Sequence, residues 1–140
     1  MLDKYIDYRI DKLISDYEDN RITLINLKTQ LESIDGWGGG QSGERVQSSP
    51  SGDGMDNLII KRNRLQGAID EYEKILDIYD RAWNTLNERE QFVLNQFYQK
   101  NQSKETACEM VRKKYFIERS QTHEVRKDAL NHMKKLVFGE

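Results

Sequence analysis

The chain has 140 residues, with 22 basic side chains against 24 acidic ones, one proline and one cysteine. Charged residues make up 33% and apolar ones 36%, and the mean hydropathy is −0.87, which excludes a large spherical core. Regular apolar spacing excludes wholesale disorder, so an extended helical molecule of one or two small domains is expected. A net charge of −2, taken in bulk, argues against a nucleic-acid binder.

In residues 1–35, apolar positions fall at Ile6, Ile10, Leu13, Tyr17, Leu24, Leu27, Leu31 and Ile34. The steps alternate four and three, and Asn20 occupies the one missing position. Two readings of Asn20 stand: a helix break in the polar run Glu18, Asp19, Asn20, Arg21, or a buried asparagine that sets the register of a helix pair. Residues 36–54, GWGGGQSGERVQSSPSGDG, hold seven of the nine glycines, four serines and the only proline. Such a stretch has too much backbone entropy and too little apolar content to pack, and it reads as a flexible linker. Trp37 has no local partner there and is expected to dock on the hairpin or on another chain.

After the linker, the long helix expected over residues 55–85 repeats the alternation at Leu58, Arg62, Leu65, Ile69, Tyr72, Leu76, Tyr79 and Trp83, and it continues to Leu86. Repeats of about 3.5 residues predict a left-handed helix–helix seam. Each arm of about 29 residues spans roughly 43 Å at 1.5 Å per residue. An antiparallel hairpin within the chain and a coiled coil between two chains both satisfy the pattern.

Residues 86–140 predict three helices. Asn87 and Glu90 form an N-x-x-E capping box ahead of Val93, Leu94, Phe97 and Tyr98, with a break at 99–103. A second helix starts at Ser103 or Thr106, where Thr106 and Glu109 offer another capping box, and ends near Lys114. A third, from about Arg119 to Leu136, has Thr122, Val125, Ala129, Met133 and Leu136 on one stripe. Tyr115 and Phe116 are expected to close the turn between the last two. The expected architecture is therefore all-α: long heptad helices, then a C-terminal three-helix helix-turn-helix module.

Charge divides at the same place. Residues 1–85 carry 11 basic and 16 acidic groups, and residues 86–140 carry 11 basic and 8 acidic ones. Opposite the apolar stripe of the third helix lie Ser120, His123, Lys127, Asn131 and Lys134, flanked by Arg119 and Arg126. Glu124 and Asp128 belong at the side of that face. Asymmetry of this kind is a partner signal that the bulk charge conceals. Arg112, Lys113, Lys114, Lys127 and Lys134 are the candidate phosphate contacts. Arg119, Ser120, Gln121 and His123 are the candidate base-edge readers, in the half of the helix that enters a major groove.

No other chemistry competes. There is no P-loop, dinucleotide fingerprint or G-x-S-x-G. The two histidines lie nine apart, and Cys108 is expected to pack as a small hydrophobe. No run of about 18 apolar residues could span a membrane, and MLDKYIDYRIDKL lacks an apolar signal core. The sequence predicts a cytoplasmic, non-enzymatic protein with neither cofactor nor metal.

The stretches LNEREQFVLNQFY (86–98) and CEMVRKKYFIERSQTHEVRKDAL (108–130) resemble the region-4-like helix-turn-helix of sigma factors. They are most similar to phage regulators of the RinA/ArpU type, which also place a heptad helix, a Gly/Ser-rich middle and a long helix upstream. Arg112 stands where that pattern usually has a small alanine, so its side chain has to snorkel outward. Glu118 stands where Ser or Thr usually caps the recognition helix. The resemblance implies a DNA-binding activator of phage late genes for packaging and morphogenesis, with double-stranded DNA and bacterial RNA polymerase as partners. Dimerisation through the heptad arms would match two-fold half-sites. Two other functions fit the same features: a small terminase-type packaging protein, and a coiled-coil scaffold that does not touch DNA.

Overall fold

Leu, Ile, Lys, Glu and Gln lose little rotamer freedom in a helix, and their three-and-four spacing gives each helix one face to bury. The structure, a computed structural model, describes residues 9–40 and 52–139, with side chains described over 9–36 and 56–139. Among these residues there is no strand, and the fold is all-α. Six α-helices follow in order: α1 (Ile10–Ser15), α2 (Tyr17–Gly40), α3 (Gly52–Thr85), α4 (Glu88–Leu94), α5 (Lys104–Tyr115) and α6 (Arg119–Phe138). A π-helical turn, Asn95–Gln99, continues α4. Helix α2 runs to Gly40 and α3 begins at Gly52, so helix overlaps both ends of the expected 36–54 linker. Residues 41–51 and the Trp37 side chain lie outside the described residues.

α2 and α3 pack antiparallel, and the chain folds back on itself. Three cross-links fix the register. The Tyr17 hydroxyl donates to Asp80 Oδ1 at 2.8 Å, Lys28 Nζ lies 2.8 Å from Glu73, and Arg62 Nε donates to Asp35 at 2.7 Å. Half-exposed ion pairs contribute about 0–1 kcal/mol each, so the seam depends on apolar burial. Leu65, Ala68, Ile69, Ile75 and Leu76 of α3 are buried, whereas Leu24, Leu27, Leu31 and Ile34 of α2 are half-buried. Arg62, on the apolar spacing of the second arm, is exposed and turned to Asp35.

The first arm does break, but at Asp16 (φ −95°, ψ 7°) and not at Asn20, which lies half-buried inside α2. Glu18 and Asp19 fall in the first turn of α2, where carboxylates favour the positive end of the helix dipole. The polar run therefore starts a helix where the sequence suggested an end. The break lets α1 leave the hairpin and pack against the π turn and α6.

Ile10, Leu13 and Ile14 of α1 join Ile75, Tyr79, Ala82, Leu86, Leu94, Ala129 and Met133 in one buried cluster. Trp83, Tyr98, Leu130 and Leu136 pack around it. This core spans the lower end of α3 and the C-terminal helices alike, crossing the residue at which the charge divides. Val93, Ala107, Cys108, Val111 and Thr122 are also buried, and Cys108 is packed as the small hydrophobe expected.

Local hydrogen bonds set the remaining boundaries. Asn87 Oδ1 accepts from the Glu90 N–H at 2.8 Å, and Glu90 Oε1 accepts from the Asn87 N–H at 3.0 Å, closing the expected capping box. The other Glu90 oxygen lies 2.8 Å from His132 Nδ1, tying the start of α4 to α6. Ser103 caps α5 by accepting from the Thr106 N–H at 3.1 Å. Thr106 is therefore the third residue of the helix, and its expected capping box with Glu109 is absent. In the π turn the Lys100 N–H reaches the Asn95 carbonyl at 3.0 Å, and buried Gln96 is held by Gln102 through its backbone and side-chain oxygens.

Candidate nucleic-acid interface

α5 ends when Phe116 enters the left-handed region (φ 55°, ψ 47°), its N–H still donating to the Arg112 carbonyl at 2.8 Å. Only residues 116–118 separate α5 from α6, a helix–turn–helix connection of ordinary length. Gln121 Oε1 reaches back to accept from the Glu118 N–H at 2.9 Å, satisfying a donor at the start of α6. The Thr122 hydroxyl is wholly buried and donates to the Glu118 carbonyl at 3.1 Å.

Burial of Thr122, Ala129 and Met133 fixes the rotation of α6. At about 100° per residue, Arg119, His123, Lys127 and Lys134 then lie within about 80° of one another, on a face centred roughly 105° round the helix from the buried residues. All four are exposed, as are Ser120 and Asn131 beside them. Glu124 and Asp128 are exposed at the edge of this face. From Arg119 to Lys134 the face measures about 22 Å along the helix, so its N-terminal half matches a major groove about 12 Å wide.

The nine sequence-predicted contacts, and Arg126 that flanks them, divide by how they are held. Arg119, Ser120, His123, Lys127 and Lys113 are exposed and carry no side-chain hydrogen bond or ion pair to another described residue. Gln121 has its oxygen engaged in the turn. Arg112 does snorkel: its guanidinium pairs with Glu109 at 2.9 Å, and its Nε donates to the Ile117 carbonyl at 3.4 Å. Lys114 Nζ sits 4.5 Å from the centre of the Phe92 ring, and Arg126 lies 5.1 Å from that of Phe97. Lys134 is exposed and also has an interaction within the chain. The rings of Phe92 and Phe97 thus anchor two cations from helices far away in sequence, a role that no local pattern announces. Phe116 differs from expectation: Tyr115 closes the turn, edge-on to Phe92 at 5.8 Å, while the Phe116 ring is left in solvent.

A second polar surface lies at the base of the hairpin and has the opposite character. Tyr17 stacks on Tyr79 (4.7 Å) and Tyr79 on Trp83 (5.9 Å), beside Glu18, Asp80 and Asn84. Burial pushes the Tyr79 hydroxyl well above its usual range, and the hydrogen bond from Gln99 at 3.1 Å only partly offsets it. Burial and the bonded Asp80 carboxylate raise Tyr17 as well. Its aromatic and acidic side chains would repel phosphate.

Among the described residues no group of three or more His, Cys, Asp or Glu could hold a metal ion, and no helix is long and apolar enough to cross a membrane. The chain matches no protein-family model, no curated protein and no solved structure.

Proposed function

We propose that this chain is a sequence-specific, DNA-binding transcriptional regulator that lays α6 in the major groove. The observation that carries this reading is the solvent face of α6: Arg119, Ser120, His123 and Lys127 stand exposed on one face, turned away from the buried Thr122, Ala129 and Met133, directly after a three-residue turn. Cations at such positions neutralise phosphates, while Arg, Ser and His present donors or acceptors to base edges. Lys113 extends the cationic surface across the turn. The acidic hairpin stands clear of that face and suits protein partners, with RNA polymerase or a second copy of the chain as its candidates. The resemblance to RinA/ArpU-type regulators adds activation of phage late genes in the bacterial cytoplasm.

The test is duplex binding across a salt series. Arg119→Ala combined with Lys127→Ala is expected to weaken binding at low salt and to lower the slope of log K against log salt by about one to two. Unchanged affinity and slope in the double variant would remove the DNA-binding reading.

A further inference from the structure

Phe116 is 91% exposed, the most exposed large apolar side chain among the described residues. It is also the one non-glycine residue there with a positive φ, at 55°. Helix C-termini ordinarily use glycine in this conformation, because a Cβ is disfavoured in it. A phenylalanine at this point carries two penalties, a disfavoured backbone and a ring left in water, and glycine would relieve both. Nothing in the packing of the turn offsets them. Tyr115 and Ile117 on either side are half-buried, so Phe116 is an isolated ring and not part of an apolar patch of the kind that marks a protein interface.

Its surroundings are charged. Phe116 comes two positions after the basic run Arg112, Lys113, Lys114 and precedes Arg119, the first residue of α6, by three positions. The nearby anions are Glu109, which is paired with Arg112, and exposed Glu118. A single apolar ring amid cations at the head of a groove-sized helix is complementary to a polyanion that carries isolated apolar groups. Duplex DNA is such a polyanion, and the apolar group on the base edges of its major groove is the C5-methyl of thymine.

We infer that Phe116 is a specificity-determining residue that packs against a thymine methyl while Lys113 and Arg119 hold the flanking backbone. The inference rests on the DNA-binding reading above. Phe116 thereby selects thymine at the edge of the site that α6 enters.

Selection from a pool of duplexes with a randomised centre tests it, using the full chain, Phe116→Gly and Phe116→Asn. Both variants suit the left-handed conformation and are expected to melt no lower than the parent chain. The parent chain should enrich thymine at a defined position. Replacing that thymine by uracil removes only the methyl group and should weaken binding about fourfold, the equivalent of one buried carbon returned to water. Both variants should lose the preference and bind thymine and uracil duplexes alike. If the parent chain enriches a sequence yet binds the two duplexes equally, or if the variants keep the thymine preference, the role of Phe116 is overturned and the DNA reading stands. If no duplex is enriched at all, both fall.

Discussion

Tyr79 shows how one buried hydroxyl links the hairpin to the π turn. It is 3% exposed, stacked between Tyr17 and Trp83, and accepts a hydrogen bond from Gln99. Because its folded pKa is raised above the ordinary 10.0, the folded state holds the phenolic proton more tightly than the unfolded chain does. Stability is therefore intact below about pH 10 and falls as pH rises beyond it. Tyr17, Tyr72 and Tyr98 are raised as well, so the alkaline loss is shared. Tyr79→Phe should cost about 0.5–1.5 kcal/mol at neutral pH, from the unpaired Gln99 donor. Thermal melts at intervals from about pH 8 to 11 should then show a shallower alkaline decline in the variant than in the parent chain. Equal slopes would mean that Tyr79 does not titrate in that range. The sequence placed Tyr79 in the core through its spacing with Leu76 and Trp83. It could not supply Gln99, which arrives from a turn 20 residues on.

At the scale of elements, capping chemistry was the most legible feature, and its one failure is instructive. Asn87 and Glu90 close their box as spaced, but Ser103 and Thr106 were both plausible starts for α5, and only the backbone conformation separates them. Ser103 is extended (φ −71°, ψ 158°) and accepts from the Thr106 N–H. Ser103→Ala should thus destabilise the chain by about 1 kcal/mol, and Thr106→Ala by clearly less. Urea titrations of the two variants decide between the starts, and the opposite order would return the cap to Thr106. The break at Asp16 was misplaced for a related reason. A run of acidic residues marks a helix start as well as a helix gap, and which it is depends on where α1 finds its apolar partners. Those partners, on the π turn and α6, lie at the other end of the chain, beyond the reach of any local pattern. Periodicity likewise fixed the buried side of α6, and with it the exposed face. Of the remaining cations, Lys114 rests on Phe92 and Arg126 on Phe97, while Arg112 pairs with Glu109.

At the scale of the molecule, charge and packing divide the chain differently. The charge boundary near residue 85 separates an acidic hairpin from a basic end. The buried cluster ignores it, joining α1, the lower part of α3, α4 and α6. Ile14 is fully buried in that cluster although it lies more than 100 residues before Ala129 and Met133. Ile14→Ala should destabilise the whole protein by about 2–5 kcal/mol, and unfolding followed by circular dichroism and by fluorescence should stay coincident, as for a single cooperative unit. Separate transitions would show that the hairpin and the C-terminal helices unfold independently. The apolar spacing of the first arm identified Ile10 and Leu13 as core-facing, but it assigned them to the seam with the second arm. A helix face declares that it will be covered without declaring by what.

The continuity of α3 has a mechanical consequence. Its last turns are embedded among α1, α4 and α6, while the stretch from Gly52 to about residue 74 projects away with α2 alongside. That projection is roughly 35 Å long. Anything gripping its tip is therefore held at a set reach and bearing from α6, as a gauge block holds two surfaces apart. Each residue added to both helices of the projection would lengthen the reach by about 1.5 Å and swing the tip by about 100°. Seven added to each would restore the bearing to within about 20°. Length and orientation are thus locked together, and the protein can change the reach while keeping the bearing only in steps near a whole number of turns, such as about seven, eleven or eighteen residues.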